Sequence, residues 1–410
     1  MAAKAAAFAL VVVCARLLPV SEFAHLGIAL AALTVVTSLV DGGFSTLIVR
    51  DGARCSTESM ALLRASVRVR LPLACVVLLA GLCAGVYVDD PWLGLTTAIA
   101  AVGSALSLTI GAVFRSAQDL APEAIQKGAV AATTVAGATA AAAGFSRASG
   151  VVAVVGSVVW LSLAPFWLYA RRKAPGHDRS IVRRGVVRAA APFALMALAT
   201  LLYYRLGIFV LGAVGSPGAT ARYTVASTVA FGLLMVPNAI TTGLLPRLSA
   251  PDFERDRLQT ARRALRWTAL SCLLVSVVAA VLAPWVLRYG FGSRYEAALE
   301  PLLLLVAGTV VIGINGILGT VLIAARRTAA VGLQVGVSLG VNAALAFALV
   351  PRFGANGAAI ATLATELAGL GVLAAAVHRF VPEFLRHETA AGRRWWRGGP
   401  VGDLHQEARL

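Results

Sequence analysis

Few side chains of this sequence could do chemistry in an apolar setting. Arg205 lies in YYRLGIFVLG with apolar neighbours on both sides, and an ionisable group so placed faces a cavity or a partner. The alternatives are a structural pair with an acid on another helix, or snorkelling of its long stem to an interface. Two acids lie at comparable depth. Asp41, in VDGG, could exchange a proton or neutralise Arg205, or could cap a helix end beside the glycine turn. Glu366 follows Thr362 by one helical turn, so the two share a face; proton exchange there is set against a salt bridge. Asn238, Asn315, Gln334 and Asn342 are neutral amides within apolar runs, where interhelical hydrogen bonding is the ordinary role. Asn238 and Asn315, which follow or sit among Pro and Gly, are also candidates to line a cavity.

Other chemistries find no support. His25, His177, His378, His387 and His405 form no ligand cluster, and the five Cys include no C-x-x-C pair, so neither a metal site nor a disulfide scaffold is expected. GAVGSPG at 212–218 lacks the Gly-Lys-Ser/Thr ending of a phosphate loop. No cofactor is expected, and no set of these residues reads as that of an enzyme.

The elements that position these residues follow from composition. Of 410 residues, 59% are hydrophobic and 13% charged; counted with Gly and without Tyr, the apolar share is roughly 67%, against 45–50% in soluble domains. Such a chain cannot cover a soluble surface, and disorder needs low hydrophobicity. A spanning helix needs about 20 apolar residues. Twelve such stretches lie near 3–20, 24–49, 71–88, 92–114, 124–144, 150–170, 189–212, 223–245, 267–288, 298–324, 329–350 and 355–377, with Pro72, Pro91, Pro122, Pro192, Pro284 and Pro351 at or near their ends. The fold class expected is all-α, a polytopic membrane protein of about twelve helices in two six-helix bundles around a central cavity. Lys4 ahead of an apolar run resembles a signal peptide, but Arg16 interrupts the run and no small-x-small site follows; residues 3–20 are read as an uncleaved helix.

The net charge of +17 then resolves into a topology. Twenty-nine Lys and Arg fall on the side shared by both termini, six on the other, and Arg205 alone within a span. That asymmetry over short loops places both termini in the cytoplasm and removes the need for a nucleic-acid partner. The tail motif Arg393, Arg394, Trp395, Trp396 and Arg397 reads as an interfacial anchor to membrane lipids. The basic loop near 171–188 divides the spans six and six: a bundle over 1–175, a linker over 176–188, a bundle over 189–380 and a tail over 381–410. At an offset of 197, Asp41 falls on Asn238 and Arg50 on Arg247, consistent with a parallel repeat.

Helix-junction patterns resemble the polysaccharide (O-antigen-type) flippases of the multidrug/oligosaccharidyl-lipid/polysaccharide exporter superfamily. They are YYRLGIFVLG at 203–212, RYTVASTVAFGLLMVPNAITTGLLPRLS at 222–249, YGFGSRYEAALEPLLLL at 289–305 and NAALAFALVPRFGANGAAIATLATEL at 342–367, with ARLLPVSEFAHLGIAL at 15–30 and DGGFSTLIVR at 41–50 fitting the opening pair. The resemblance covers nearly the whole chain. Many relatives carry an acid two residues after the basic residue of helix seven; here that place is Gly207.

The resemblance implies transport of a polyprenyl-pyrophosphate-linked oligosaccharide to the outer leaflet, with a glycan polymerase or glycosyltransferases as candidate partners. A pyrophosphate in hydrocarbon needs a cationic cavity, and the guanidinium fork of Arg205 suits it. Asn238 and Asn315 would line that cavity, while Asp41 and Glu366 would supply coupling. The alternatives are a drug or cation antiporter of the same superfamily, a membrane glycan polymerase or ligase, and a lipid II flippase. The polymerase would need a larger external loop than the dozen or so residues available, and lipid II flippases typically carry extra C-terminal helices.

Overall fold

In a computed structural model, residues 2–52, 56–88, 90–173, 186–249 and 257–385 are described. The described residues are almost entirely helical, with no strand among them. In chain order the helices are α1 Ala2–Leu17, α2 Val20–Asp41, α3 Phe44–Gly52, α4 Ser56–Tyr87, α5 Pro91–Ser116, α6 Ala121–Phe145, α7 Ala148–Lys173, α8 Val186–Val214, α9 Pro217–Leu233, α10 Met235–Ser249, α11 Arg257–Trp285, α12 Leu299–Ala324, α13 Thr328–Phe380 and α14 Pro382–Leu385. α2 with α3, and α9 with α10, each form one broken span, and α13 is two spans joined at Gly354. Counted so, the described residues form twelve helical passes, and nine of the helices, α13 taken as one, are long and apolar enough to cross a membrane. Of the linker expected over 176–188, residues 176–185 lie outside the described residues, as does the tail motif at 393–397, while 186–188 begin α8.

Local chemistry explains the turns. Pro19 precedes α2, and Ser216 caps α9 by accepting from the Ala219 amide at 3.2 Å, with Pro217 in the first turn. Gly354 has φ 54°, a left-handed value that Gly adopts freely, and a Cβ at Gly357 would meet the Leu349 carbonyl at 2.4 Å. Between α11 and α12 the chain runs through a π-helical turn, Val286–Phe291, and a 3₁₀ turn, Ser293–Ala298.

The third span corrects the sequence reading. α4 starts at Ser56 and is 32 residues long, about 48 Å, so Arg64, Arg68 and Arg70 belong to a helix and not to a loop. Pro72 lies inside it. Arg205 is therefore not the only basic side chain within a span: Arg70 is another, and is 3% exposed. Hydropathy alone cuts the span at 71 because it scores Arg as a breaker, whereas a partnered guanidinium is tolerated in a helix.

The cores show how the bundles meet. On the face opposite the basic loops, one continuous core takes Leu18, Phe23 and Leu26 from the first bundle and Leu211, Val225, Phe291 and Leu302 from the second. Towards the basic face the cores are separate. Ile48, Leu63, Phe114 and Phe166 form one within the first bundle, and Leu244, Leu248, Val321 and Val377 one within the second. Only Phe44 and Leu47 of α3, with Ala190 of α8, share a buried cluster across the bundles there, among the described residues. The bundles therefore share one core on the face opposite the basic loops and keep separate cores towards the basic face, where the Phe44, Leu47 and Ala190 cluster joins them.

Hydrogen bonds seal the seam of the shared core in both directions. Arg16 donates to the Gly290 carbonyl at 2.6 Å and to that of Tyr289, while Arg294 donates back to the Ala15 carbonyl. Ring pairs Phe8–Phe291 and Phe23–Tyr295 pack edge-on beside them, centroids 6.0 and 5.5 Å apart. Gly27 permits the seam its closeness, since a Cβ there would lie 2.3 Å from Thr224 Oγ1. Gly27→Leu is expected to wedge the seam, costing about 1–3 kcal/mol in thermal unfolding and raising labelling of a cysteine placed there. Gly128→Ala, with open space around it, should leave both readings unchanged.

Candidate functional site

Arg205 lies nine residues before the end of α8, about 14 Å along the axis, near the middle of a hydrocarbon layer about 30 Å thick. Ile208 and Leu211 of the same helix belong to the shared core. Arg205 thus stands at the edge of the shared core, on the side towards the basic face. α9 presents Tyr223 and Phe231, two turns apart on one stripe, to this place. The Arg205 guanidinium carbon sits 5.9 Å from the Phe231 ring centroid, and the group interacts electrostatically with Tyr223. Tyr204 packs edge-on to Phe231 at 5.7 Å and lies beside Tyr203 at 4.2 Å. Among the described residues no carboxylate pairs with Arg205.

Glu366 does not neutralise it. This acid is 2% exposed and takes its contacts inside the second bundle. Asn315 Nδ2 donates to Glu366 Oε2 and to the Glu366 backbone carbonyl, both at 3.0 Å. Tyr203 and Tyr204 interact with the same carboxylate, while Oε1 has no hydrogen-bond partner. Thr362, one turn away, bonds the Tyr223 hydroxyl at 3.3 Å, so Tyr223 connects the Arg205 and Glu366 neighbourhoods. Asn342 donates to Thr365 at 3.1 Å and Gln334 to Ser338 at 2.9 Å. The first links the two arms of α13; the second stays within one helix.

The other expected site residues lie apart. Asn238 is exposed on α10, near the basic face, where its carbonyl accepts from Thr241 and Thr242. Asp41 ends α2 and is buried. Its Oδ2 accepts from the Ser45 amide at 3.3 Å and hydroxyl at 2.8 Å, capping α3. Its Oδ1 pairs with Arg70 at 3.3 Å. Arg70 also donates to the Asp41 carbonyl at 2.7 Å and to Thr109 at 2.6 Å, and packs on the Phe44 ring at 4.8 Å. The break between α2 and α3 is thereby tied to α4 and α5. Among the described residues no three His, Cys, Asp or Glu converge as metal ligands.

The structure therefore brings together Arg205, Asn315 and Glu366 through three tyrosines that sequence reading passed over. The YYR triplet was the visible signal of two of them, Tyr203 and Tyr204: two hydroxyls and a cation in an otherwise apolar run. Arg70 had a weaker one, a basic residue against the start of LPLACVVLLAG.

Comparisons bear on what this arrangement serves. Residues 13–300 match the family described as "Polysaccharide biosynthesis protein". No curated protein matches in sequence. Among solved structures, the chain is similar to the lipid II flippase MurJ in an inward closed conformation, with TM-score 0.75 and 13% identity, over 93% of this chain and 87% of that one. It is also similar to an inward-facing multidrug resistance MATE family transporter of the MOP superfamily, with TM-score 0.72 and 14% identity over 94% and 96%. The Vibrio cholerae MATE transporter VcmN in its bent form aligns with TM-score 0.61 and 14% identity over 92% and 94%. At these identities the likeness is one of fold.

The two arginines within spans, Arg70 buried and Arg205 half-buried, should respond oppositely to truncation. Arg70→Met strands Asp41 and is expected to cost about 3–5 kcal/mol, partly recovered in the Asp41→Asn, Arg70→Met double variant. Arg205→Met removes a charge without a counterion and should leave the melting temperature unchanged or higher. Thermal unfolding of purified protein checks both.

Proposed function

The chain belongs to the polysaccharide biosynthesis protein family, and from that premise we propose that it is a flippase for a polyprenyl-pyrophosphate-linked oligosaccharide. It would carry the glycan head from the cytoplasmic to the outer leaflet of a bacterial cytoplasmic membrane by alternating access. The observation that carries this reading is Arg205: a guanidinium at mid-depth, at the edge of the core that the two bundles share, with no carboxylate paired to it among the described residues.

Several features support it. A cation at membrane depth without a counterion favours an anionic cargo, because the ligand supplies the missing charge. A pyrophosphate offers the fork two acceptors at once, while the glycan stays in a water-filled opening between the bundles and the isoprenoid in the bilayer. A drug cation would meet repulsion at this point. Both termini and the basic loops are assigned to the cytoplasm on the positive-inside asymmetry, so the basic face receives cargo from the side where it is made. The two bundles, 1–175 and 189–380, are the rocking units, joined by the linker at 176–188, with the tail at 381–410 held on the same side.

Within this scheme Asn238 lines the mouth of the opening and Asn315 holds Glu366. Glu366 is the coupling group: it lies one tyrosine away from the cargo site, and its second oxygen is open to a proton. Asp41 is a weaker coupling candidate, since Arg70 already holds it. A glycan polymerase or glycosyltransferases are the proposed partners.

The test is export of surface glycan in a strain lacking the chromosomal copy. Arg205→Ala is expected to lower export about 10- to 100-fold, as loss of a charge-assisted pair of about 1.5–3 kcal/mol implies, at normal protein level in the membrane, with Arg205→Lys intermediate. Undiminished export by Arg205→Ala overturns the proposal. Glu366→Gln should lower the rate and remove its dependence on external pH while leaving cargo binding intact.

A further inference from the structure

Away from Arg205, a second feature has the form of a ligand site. α6 and α7 diverge towards the basic face and leave a groove of about 690 Å³, within the range of small-molecule sites. Its walls are apolar: Ile125 of α6 and Leu161 of α7 are 73% and 77% exposed, with Ala129 and Pro165 between them. On the groove floor, Gln126 Nε2 donates to Ser107 at 3.1 Å and to Ser162 at 2.9 Å, so this donor is already satisfied. A groove so apolar on spanning helices is filled by a hydrocarbon chain, not by water.

Charge at the end of the groove says which lipid. Glu123 is held between Arg115 at 3.4 Å and Lys127 at 2.6 Å, and Asp119 at the mouth already has a partner. Glu123 is thus neutralised by two basic partners. Arg171 and Arg172 are exposed at the end of α7. Groove-lining Val158, Ser162, Pro165 and Tyr169 recur every three or four residues, and Arg172 continues that stripe by one turn towards the basic face. We propose that this groove binds one anionic phospholipid from the leaflet on the basic side, its acyl chain between α6 and α7 and its phosphate on Arg172. The site lies in the first bundle and is separate from Arg205, so it reads as a resident lipid that holds α6 against α7, not as the cargo.

Native mass spectrometry of the full chain, equilibrated with equal phosphatidylglycerol and phosphatidylcholine, tests this without requiring transport. Wild-type protein is expected to retain one phosphatidylglycerol in preference to phosphatidylcholine. Arg172→Gln should weaken that retention about fivefold, as expected for one basic residue at a membrane surface. Ala129→Trp should abolish it by filling the groove, and Arg205→Met should leave it unchanged. A photo-crosslinking residue in place of Leu161 gives a second reading that leaves the groove open, with adducts to phosphatidylglycerol expected. Equal retention of both lipids, undiminished retention by Arg172→Gln and Ala129→Trp, equal adducts to both lipids, or displacement of the phospholipid by polyprenyl phosphate would each overturn the assignment.

Discussion

A charge in the middle of a bilayer has to be paired, hydrated or given a ligand, and the organisation of this molecule turns on how it treats two arginines. Desolvating an ion costs several kcal/mol even after the surroundings relax. For Arg70 the answer is pairing. Asp41, Thr109 and a helix-terminal carbonyl surround it, and the result is a fixed joint at the break between α2 and α3. Arg205 has no carboxylate partner among the described residues and lies against the Phe231 ring at the edge of the shared core. One arrangement spends charge on structure; the other keeps it available.

The shape of the molecule supports the same division. Where the bundles meet, small residues and aromatic edges allow close approach, and two arginines bond main-chain carbonyls reciprocally across the seam. Those bonds use no acid and join elements from opposite bundles, so they can break as a unit when the bundles rock. On the basic side each bundle has its own core, and among the described residues the Phe44, Leu47 and Ala190 cluster joins them there, so separation of the halves on that side has to break that contact. Glu366 sits behind Arg205 in the second bundle, in contact with Asn315 and near Tyr203 and Tyr204. A change at either group can therefore be felt at the other through hydrogen-bonded neighbours.

Much of this was legible in the residues. Twelve apolar runs, punctuated by Pro and Gly, place the spans because a bilayer allows a helix little freedom of length or composition. Arg205 stood out for the same reason. Pairing was not legible: nothing in VDGG or in RVRLP says that Asp41 and Arg70 meet, since they are 29 residues apart in different helices. Nor does hydropathy reveal that α4 begins 15 residues before the apolar run, because partnered arginines continue a helix that an apolar average ends. The offset that aligns Asp41 with Asn238 marks the two broken spans, but the breaks themselves fall at Gly42 and at Leu234. Only the first has an acid to pin it. The tyrosines were hidden by their ambiguity: an aromatic residue in an apolar run can be core or site, and only its neighbours decide.

The central claim is that Arg205 is kept uncompensated so that a pyrophosphate can complete it. Equilibrium binding of a polyprenyl pyrophosphate to purified protein tests this most directly, with wild type and Arg205→Ala compared at several salt concentrations. The account predicts that wild type binds about tenfold or more tightly than the variant, as loss of a charge-assisted hydrogen-bonded pair implies, and that the difference survives high salt because the site is partly buried. Equal affinity of the two proteins, at protein integrity confirmed by unfolding, would contradict it.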